Sequence, residues 1–307
     1  MTTTENFFVT ALPPFDFDLS SLIFSNGDEQ IRRYQKGNFW QVIRIDNKLS
    51  LVSVKSVGTV EKPKLFAELK TDCKPTGKDK ENALKAVSYL FNLDFDLAEF
   101  YEEIENDLTM ARLTNKLVGL KNPTTQFAFE ALIDSIVEQQ ISLKVAQSLE
   151  RKIIKKLGDT LDLEGKIYYA YPTPRALSTV SFQEFRNLGL SERKAEYIRN
   201  IASLVSEGKL DLEMLKCSRS SDEIIEELDK IRGVGVWTAE LTMLRGMARL
   251  EAFPADDLGL RRTISNYYCN GRPLTSANAR DIAENWGKWK GLVAYYLIVA
   301  EILGIEK

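Results

Sequence analysis

Between Leu228 and Asp257 the chain sets down, in one short stretch, groups able to hold a phosphate and to place negative charge beside it. The run Leu228-Asp-Lys-Ile-Arg-Gly233-Val-Gly235-Val-Trp237-Thr-Ala239 reads as a helix end, a tight glycine turn and a second helix start. Glycine leaves no Cβ between backbone amides and an approaching anion and suits positive φ, while the opening turn of a helix offers unpaired N–H groups. The amides of Gly233, Val234, Gly235 and Val236 are therefore candidate phosphate ligands. A Gly-x-Gly turn alone is more often a plain link between helices. Here Leu228 and Ile231 before it, with Ala239, Leu241 and Leu244 after it, give two apolar faces that must pack together, and Lys230 and Arg232 stand beside it. Downstream, Phe253-Pro-Ala-Asp256-Asp257 supplies two carboxylates, one of which is expected to cap the following segment Leu258-Gly-Leu-Arg-Arg262. The combination points to DNA gripped by its backbone next to an acid.

What the chain lacks narrows the chemistry. It has no histidine, which excludes Ser-His-Asp and Cys-His catalysis and imidazole acid–base work. Its three cysteines, Cys73, Cys217 and Cys269, are far apart and form no C-x-x-C pair, so neither a disulfide framework nor a zinc or iron–sulfur site is supported. A net charge of −3 weighs mildly against a nucleic-acid partner, but basic residues cluster at 151–156, at Lys230 and Arg232, and at Arg261-Arg262. With 44% apolar and 28% charged residues the composition is that of a globular protein, against disorder or a membrane-embedded chain. No run has the length of a membrane-spanning helix and Met1-Thr-Thr-Thr-Glu lacks the features of a secretory signal, so a cytoplasmic protein is expected.

The elements that must position these groups follow from periodicity and punctuation. Phe39 to Ile45 and Leu49 to Lys55, separated by Asp46-Asn47-Lys48, predict a β-hairpin; Phe7 to Leu12 predicts a further strand and Lys78 to Phe91 a helix. Beyond Asp107 strand signals nearly vanish and helix caps repeat. Thr125 precedes the apolar series Phe129, Leu132, Ile133, Ile136, Val137; Ser142 opens a helix closed by Gly158; Thr173-Pro174, Ser191 and the capping box Ser220-x-x-Glu223 open others. The last two helices are expected near Ser276 and Trp289.

The runs Ile231-Arg-Gly-Val-Gly-Val-Trp-Thr-Ala-Glu240, Leu244-Arg-Gly246 and Phe253-Pro-Ala-Asp-Asp-Leu-Gly-Leu-Arg-Arg262 resemble the helix-hairpin-helix (HhH-GPD) DNA glycosylase superfamily, nearest to its DNA-3-methyladenine glycosylase II branch. Tyr171-Pro-Thr-Pro-Arg-Ala-Leu177, Leu188-Gly-Leu-Ser-Glu-Arg-Lys-Ala195 and Trp286-Gly-Lys-Trp289 add to the likeness, which runs from about Thr125 to the C-terminus. The resemblance implies a mostly α fold: a small N-terminal domain of antiparallel sheet plus helix over residues 1–105, then a helical HhH-GPD core over 106–307 with its hairpin at 228–241. It registers the catalytic aspartate on Asp257 rather than Asp256. There a fixed carboxylate would stabilise positive charge growing on a deoxyribose as the N-glycosidic bond breaks. It places Trp237 where strand-nicking relatives carry a Schiff-base lysine, which implies a monofunctional enzyme; the indole face would stack on an extruded base, against the plainer role of clamping the hairpin. It makes Gln140 the wedge that fills the duplex when a nucleotide leaves, although Glu138-Gln139-Gln140-Ile141-Ser142 reads equally well as a loop and cap.

The same resemblance implies damaged double-stranded DNA as partner, a monomer, no redox cofactor, no divalent metal and a monovalent cation at the hairpin carbonyls. Leu241 and Ile298 stand where well-known members of the branch have pocket aromatics, leaving Tyr295, Tyr296, Trp286 or Trp40 to supply them. Alkylated purines of the 3-methyladenine type are the expected substrate. The rivals are a glycosylase for 8-oxoguanine or hypoxanthine, since residues 84–97 faintly resemble the 8-oxoguanine branch, and a module that binds DNA without cleaving it.

Overall fold

Residues 2–25, 27–46 and 48–306 are described in the computed structural model; Met1 of the leading segment and Asn47 of the expected hairpin turn lie outside them. Thr3–Thr10 (β1), Phe17–Phe24 (α1), Arg32–Gln35 (β2), Asn38–Ile45 (β3), Lys48–Ser56 (β4), Lys64–Thr71 (β5) and Gly77–Leu90 (α2) build the first part. The strands form one antiparallel sheet in the order β1-β5-β4-β3-β2. Alternation along β5 turns Leu65, Ala67 and Leu69 inward, and α2 lays Ala83, Val87 and Leu90 against them. The β3–β4 hairpin pairs Ile45 with Lys48, so its turn is one residue shorter than the expected Asp46-Asn47-Lys48 loop, and Asp46 takes a φ of 51°. Such left-handed backbone matches the twist of paired strands.

Helices then take over: Ala98–Ile104 (α3), Leu108–Lys116 (α4), Ala128–Glu138 (α5) and Leu143–Leu157 (α6). A small hairpin, Thr160–Leu163 (β6) and Lys166–Tyr169 (β7), interrupts them. Pro174–Thr179 (α7), Phe182–Leu188 (α8), Glu192–Ser206 (α9), Leu212–Ser218 (α10), Ser221–Asp229 (α11), Val236–Gly246 (α12), Leu258–Tyr268 (α13), Ser276–Ala283 (α14) and Lys290–Ile302 (α15) complete the core. The fold is thus the mostly α architecture expected, with the sheet at its N-terminal side.

Among the described residues the two largest apolar clusters lie one under the sheet and one, much larger, among the helices, and a small third joins the sheet to the β6–β7 hairpin. Lys121 bolts the two largest together. Its side chain is fully buried, and its ammonium donates to the carbonyls of Leu12 and Leu93 at 2.9 Å and of Phe95 at 2.5 Å. Three acceptors match the three N–H groups of an ammonium, yet burial still lowers its pKa to about 8. In the helical cluster α5 and α12 approach so closely that a Cβ on Gly246 would lie 2.7 Å from the Cβ of Ala131. That contact sets the distance between the hairpin and the loop that follows α5.

Candidate active site

The hairpin joins α11 to α12, and its two glycines differ. Gly233 has a φ of +93°, and a Cβ there would fall 2.3 Å from the Tyr197 ring on α9. Gly235 has an ordinary φ of −105° and only open space where a Cβ would point, so positive φ, expected at both, is required at one. Val234 also differs from its expected role: its amide donates to Ile231 O at 2.9 Å, closing the turn, and its side chain is buried in the core. The amides of Gly233, Gly235 and Val236 have no acceptor among the described residues, and they precede the unpaired first turn of α12. The carbonyls of Gly233 and Ile231 each accept one protein hydrogen bond, which leaves each a second lone pair.

The loop after α5 is lashed to this hairpin. Gln139 Nε2 donates to Gly233 O at 2.9 Å and to Thr238 Oγ1 at 3.1 Å. Lys194, from α9, donates to the carbonyls of Val137 and Gln139, both at 2.7 Å, and so caps the end of α5. Glu138 pairs with Arg245 on α12 at 2.6 Å. Gln140, held between these ties, is exposed and has a φ of +56°. A left-handed glutamine costs on the order of 1 kcal/mol, which the surrounding bonds must offset. Its side chain makes no hydrogen bond among the described residues and projects from a rigid mount.

Asp257 is the N-cap of α13. Its Oδ1 accepts from Leu260 N at 2.7 Å, while Oδ2 accepts nothing from the described residues. Capping and a free oxygen therefore coexist in one carboxylate; Asp256 is the exposed member of the pair. A Cβ on Gly259 would stand only 3.1 Å from Oδ1, so a larger residue there would crowd the carboxylate. The charge of Asp257 is felt at Arg245, whose pKa burial would lower but whose nearby carboxylates Glu138, Asp134 and Asp257 together raise. Arg245 thus feels the charge of the acid while it is paired with Glu138 at the end of α5, beside Gln140.

Trp237 lies in the first turn of α12, partly buried, with its indole N–H out of solvent and without an acceptor among the described residues. Of the aromatic residues expected to line a pocket, three are committed elsewhere. Tyr296 bonds to Leu120 O and Tyr101, Trp286 to Asp107, and Trp40 sits on β3 bonded to Glu29 O. Tyr295 alone among them keeps a buried hydroxyl with no partner. The basic run at 151–156 is partly spent as well, since Lys155 pairs with Asp28 at 2.8 Å. Sequence reasoning missed Gln139, Lys194, Tyr197 and Arg245 as supports. Lys194 and Arg245 sat inside motifs that resembled the family, but nothing local showed what they would hold.

Residues 133–288 match the profile described as HhH-GPD superfamily base excision DNA repair protein. The chain is 30% identical over 258 residues to a DNA-3-methyladenine glycosylase of Bacillus subtilis, covering 84% of each protein. In three dimensions it is similar to a 3-methyladenine DNA-glycosylase from Archaeoglobus fulgidus, with a TM-score of 0.85 and 26% identity over 97% of this chain and 98% of the other. It shares its fold with a Clostridium acetobutylicum 8-oxoguanine glycosylase/lyase solved with double-stranded DNA, at a TM-score of 0.77 and 24% identity over 99% of each chain. The chain therefore belongs to the HhH-GPD superfamily of base excision DNA repair proteins.

Proposed function

We propose that this base excision repair protein is a monofunctional DNA glycosylase that removes alkylated purines, of the 3-methyladenine type, from duplex DNA. The observation that carries the reading is Asp257: a carboxylate clamped through one oxygen and free at the other, at the start of the helix that follows the hairpin segment. In the reaction the bond between C1′ and the purine nitrogen breaks and its electron pair leaves with the base. An alkylated purine carries positive charge beforehand and departs neutral, so no acid is required. The sugar becomes cationic, and Oδ2 of Asp257 stabilises it until water adds at C1′ and gives up a proton. Trp237 stacks on the extruded base, Gln140 occupies the gap in the duplex, and the amides of Gly233, Gly235 and Val236 hold a phosphate. The Gly233 and Ile231 carbonyls would hold a monovalent cation, which supplies positive charge for that phosphate.

The names of the Bacillus and Archaeoglobus relatives support the alkylpurine class, and Trp237 at the Schiff-base position supports hydrolysis without strand cleavage. Asp257→Asn tests the mechanism cleanly, because asparagine caps a helix as well as aspartate and only the charge is lost. Single-turnover release of 3-methyladenine should slow at least a hundredfold, about 3 kcal/mol, with duplex affinity retained. A wild-type rate in this variant refutes the mechanism. Parallel duplexes carrying 8-oxoguanine or hypoxanthine decide the substrate: faster release of either overturns the alkylpurine assignment. Borohydride should trap no enzyme–DNA adduct, and a trapped adduct would refute monofunctionality.

A further inference from the structure

A cavity of about 380 Å³ lies away from Asp257, between β2–β3 of the sheet and helices α5, α6 and α10. That volume suits a small organic molecule. Its walls are largely apolar, with Val42, Phe129, Ile154 and Leu212 among them. Its charged groups do not balance. Glu150 pairs with Arg32 at 3.6 Å, Arg44 is taken by Asp159 at 2.6 Å, Glu213 by Lys216 and the Ala128 amide, and Asp211 caps α10. Two carboxyl groups one helical turn apart on α5, Glu130 and Asp134, form no ion pair among the described residues, Arg245 near Asp134 being paired with Glu138. Among the described residues Asp134 accepts one hydrogen bond, from the Tyr171 hydroxyl at 2.7 Å. The Glu130 carboxyl belongs to a half-buried residue that lines the cavity, and it makes no hydrogen bond or ion pair among the described residues.

We propose that this cavity binds a small organic cation, an amine on a flat apolar body, with its charge held by Glu130 and Asp134. A carboxyl group without a counter-charge in an apolar cavity is costly to ionise, and a bound cation supplies that missing charge. The apolar walls take the body of the ligand, and the acid pair fixes its charged end. The groups facing Glu130 are Arg32 and Arg44 from the sheet, Asp134 on its own helix, Glu150 on α6 and Glu213 on α10. Burial outweighs the two arginines and raises the Glu130 carboxyl to about 8. At neutral pH the empty site therefore holds a proton, which an arriving cation displaces, so affinity rises with pH until the amine itself loses charge.

The test is calorimetric titration of the full chain with protonated tryptamine and with tryptophol, its neutral alcohol counterpart. Tryptamine should bind one to one and at least tenfold more tightly, with a heat that varies with the buffer because a proton is released. Glu130→Gln, an isosteric change, should abolish both the preference and the proton release, while Asp257→Asn should leave both intact. Equal affinity for the two compounds, no tryptamine binding at millimolar concentration, or binding that survives Glu130→Gln but is lost in Asp257→Asn would overturn the proposal.

Discussion

At Gly233 two demands meet that Gly235 does not share. The backbone is left-handed, and the Tyr197 ring occupies the place of any Cβ. Gly233→Ala should therefore lose more than about 2 kcal/mol in urea unfolding, since strain and overpacking add. Gly235→Ala meets open space and should cost under about 1 kcal/mol, yet its methyl group enters the region where a phosphate must approach the amides. It should weaken duplex binding at constant stability, and the ratio of the two effects checks the assignment of that turn. In the sequence the glycines look alike, because the φ of one and the ring brought from α9 are properties of the assembled core. Asp257 is singled out by the resemblance to the family, and the helix cap expected of the Asp256-Asp257 pair falls on it. The division of its two oxygens between a helix cap and open space was not legible in the sequence.

Among the elements, α5 has a sided design. Glu130, Asp134 and Glu138 recur at i, i+4 and i+8, while the rest of the helix is buried. Its C-terminal end is the mount for Gln140, and Lys194 fastens that end from α9. Lys194→Met keeps the aliphatic stem but removes the donors, so the left-handed glutamine can relax and the wedge loses its aim. We expect about tenfold slower excision from a fully paired duplex, and a clearly smaller defect when the lesion sits in a mismatch, because extrusion then costs less. An equal loss on both substrates would show that Lys194 acts only on stability. Helices here were readable because polar caps announce them: Ser142, Thr173, Ser191 and Ser220 each bind the amide expected. Thr125 did not open α5. That helix starts at Ala128, and the cap for its amide arrives from Glu213 on α10, a contact no local pattern encodes. The β6–β7 hairpin was missed for a related reason. It has four residues per strand and owes its burial to Leu161 and Leu163 packing on Val42 and Leu51 of the sheet.

For the molecule as a whole, the seam between sheet and helices carries buried charge on both sides of neutrality, and a chain without histidine makes its titration readable. Burial raises Glu130 from 4.5 to about 8 and lifts Asp134 as well, so between those values the unfolded chain has released protons that the folded one keeps. Stability must then fall as pH rises through that window, by about 1.4 kcal/mol per unit for each fully retained proton. Lys121 acts on the other side. Its ammonium is lowered from 10.5 to about 8, so from there upward the folded chain has lost a proton that the unfolded chain still binds, and stability climbs again. The expected profile is a trough near pH 8. Glu130→Gln should make the acid limb shallower, leaving the part due to Asp134, while Lys121→Met should flatten the alkaline limb. Urea unfolding from pH 5 to 10 distinguishes them: a wild-type curve that is level across this range, or a Glu130→Gln variant whose acid limb is as steep as the parent's, would mean that the seam does not hold these groups in the states its burial dictates.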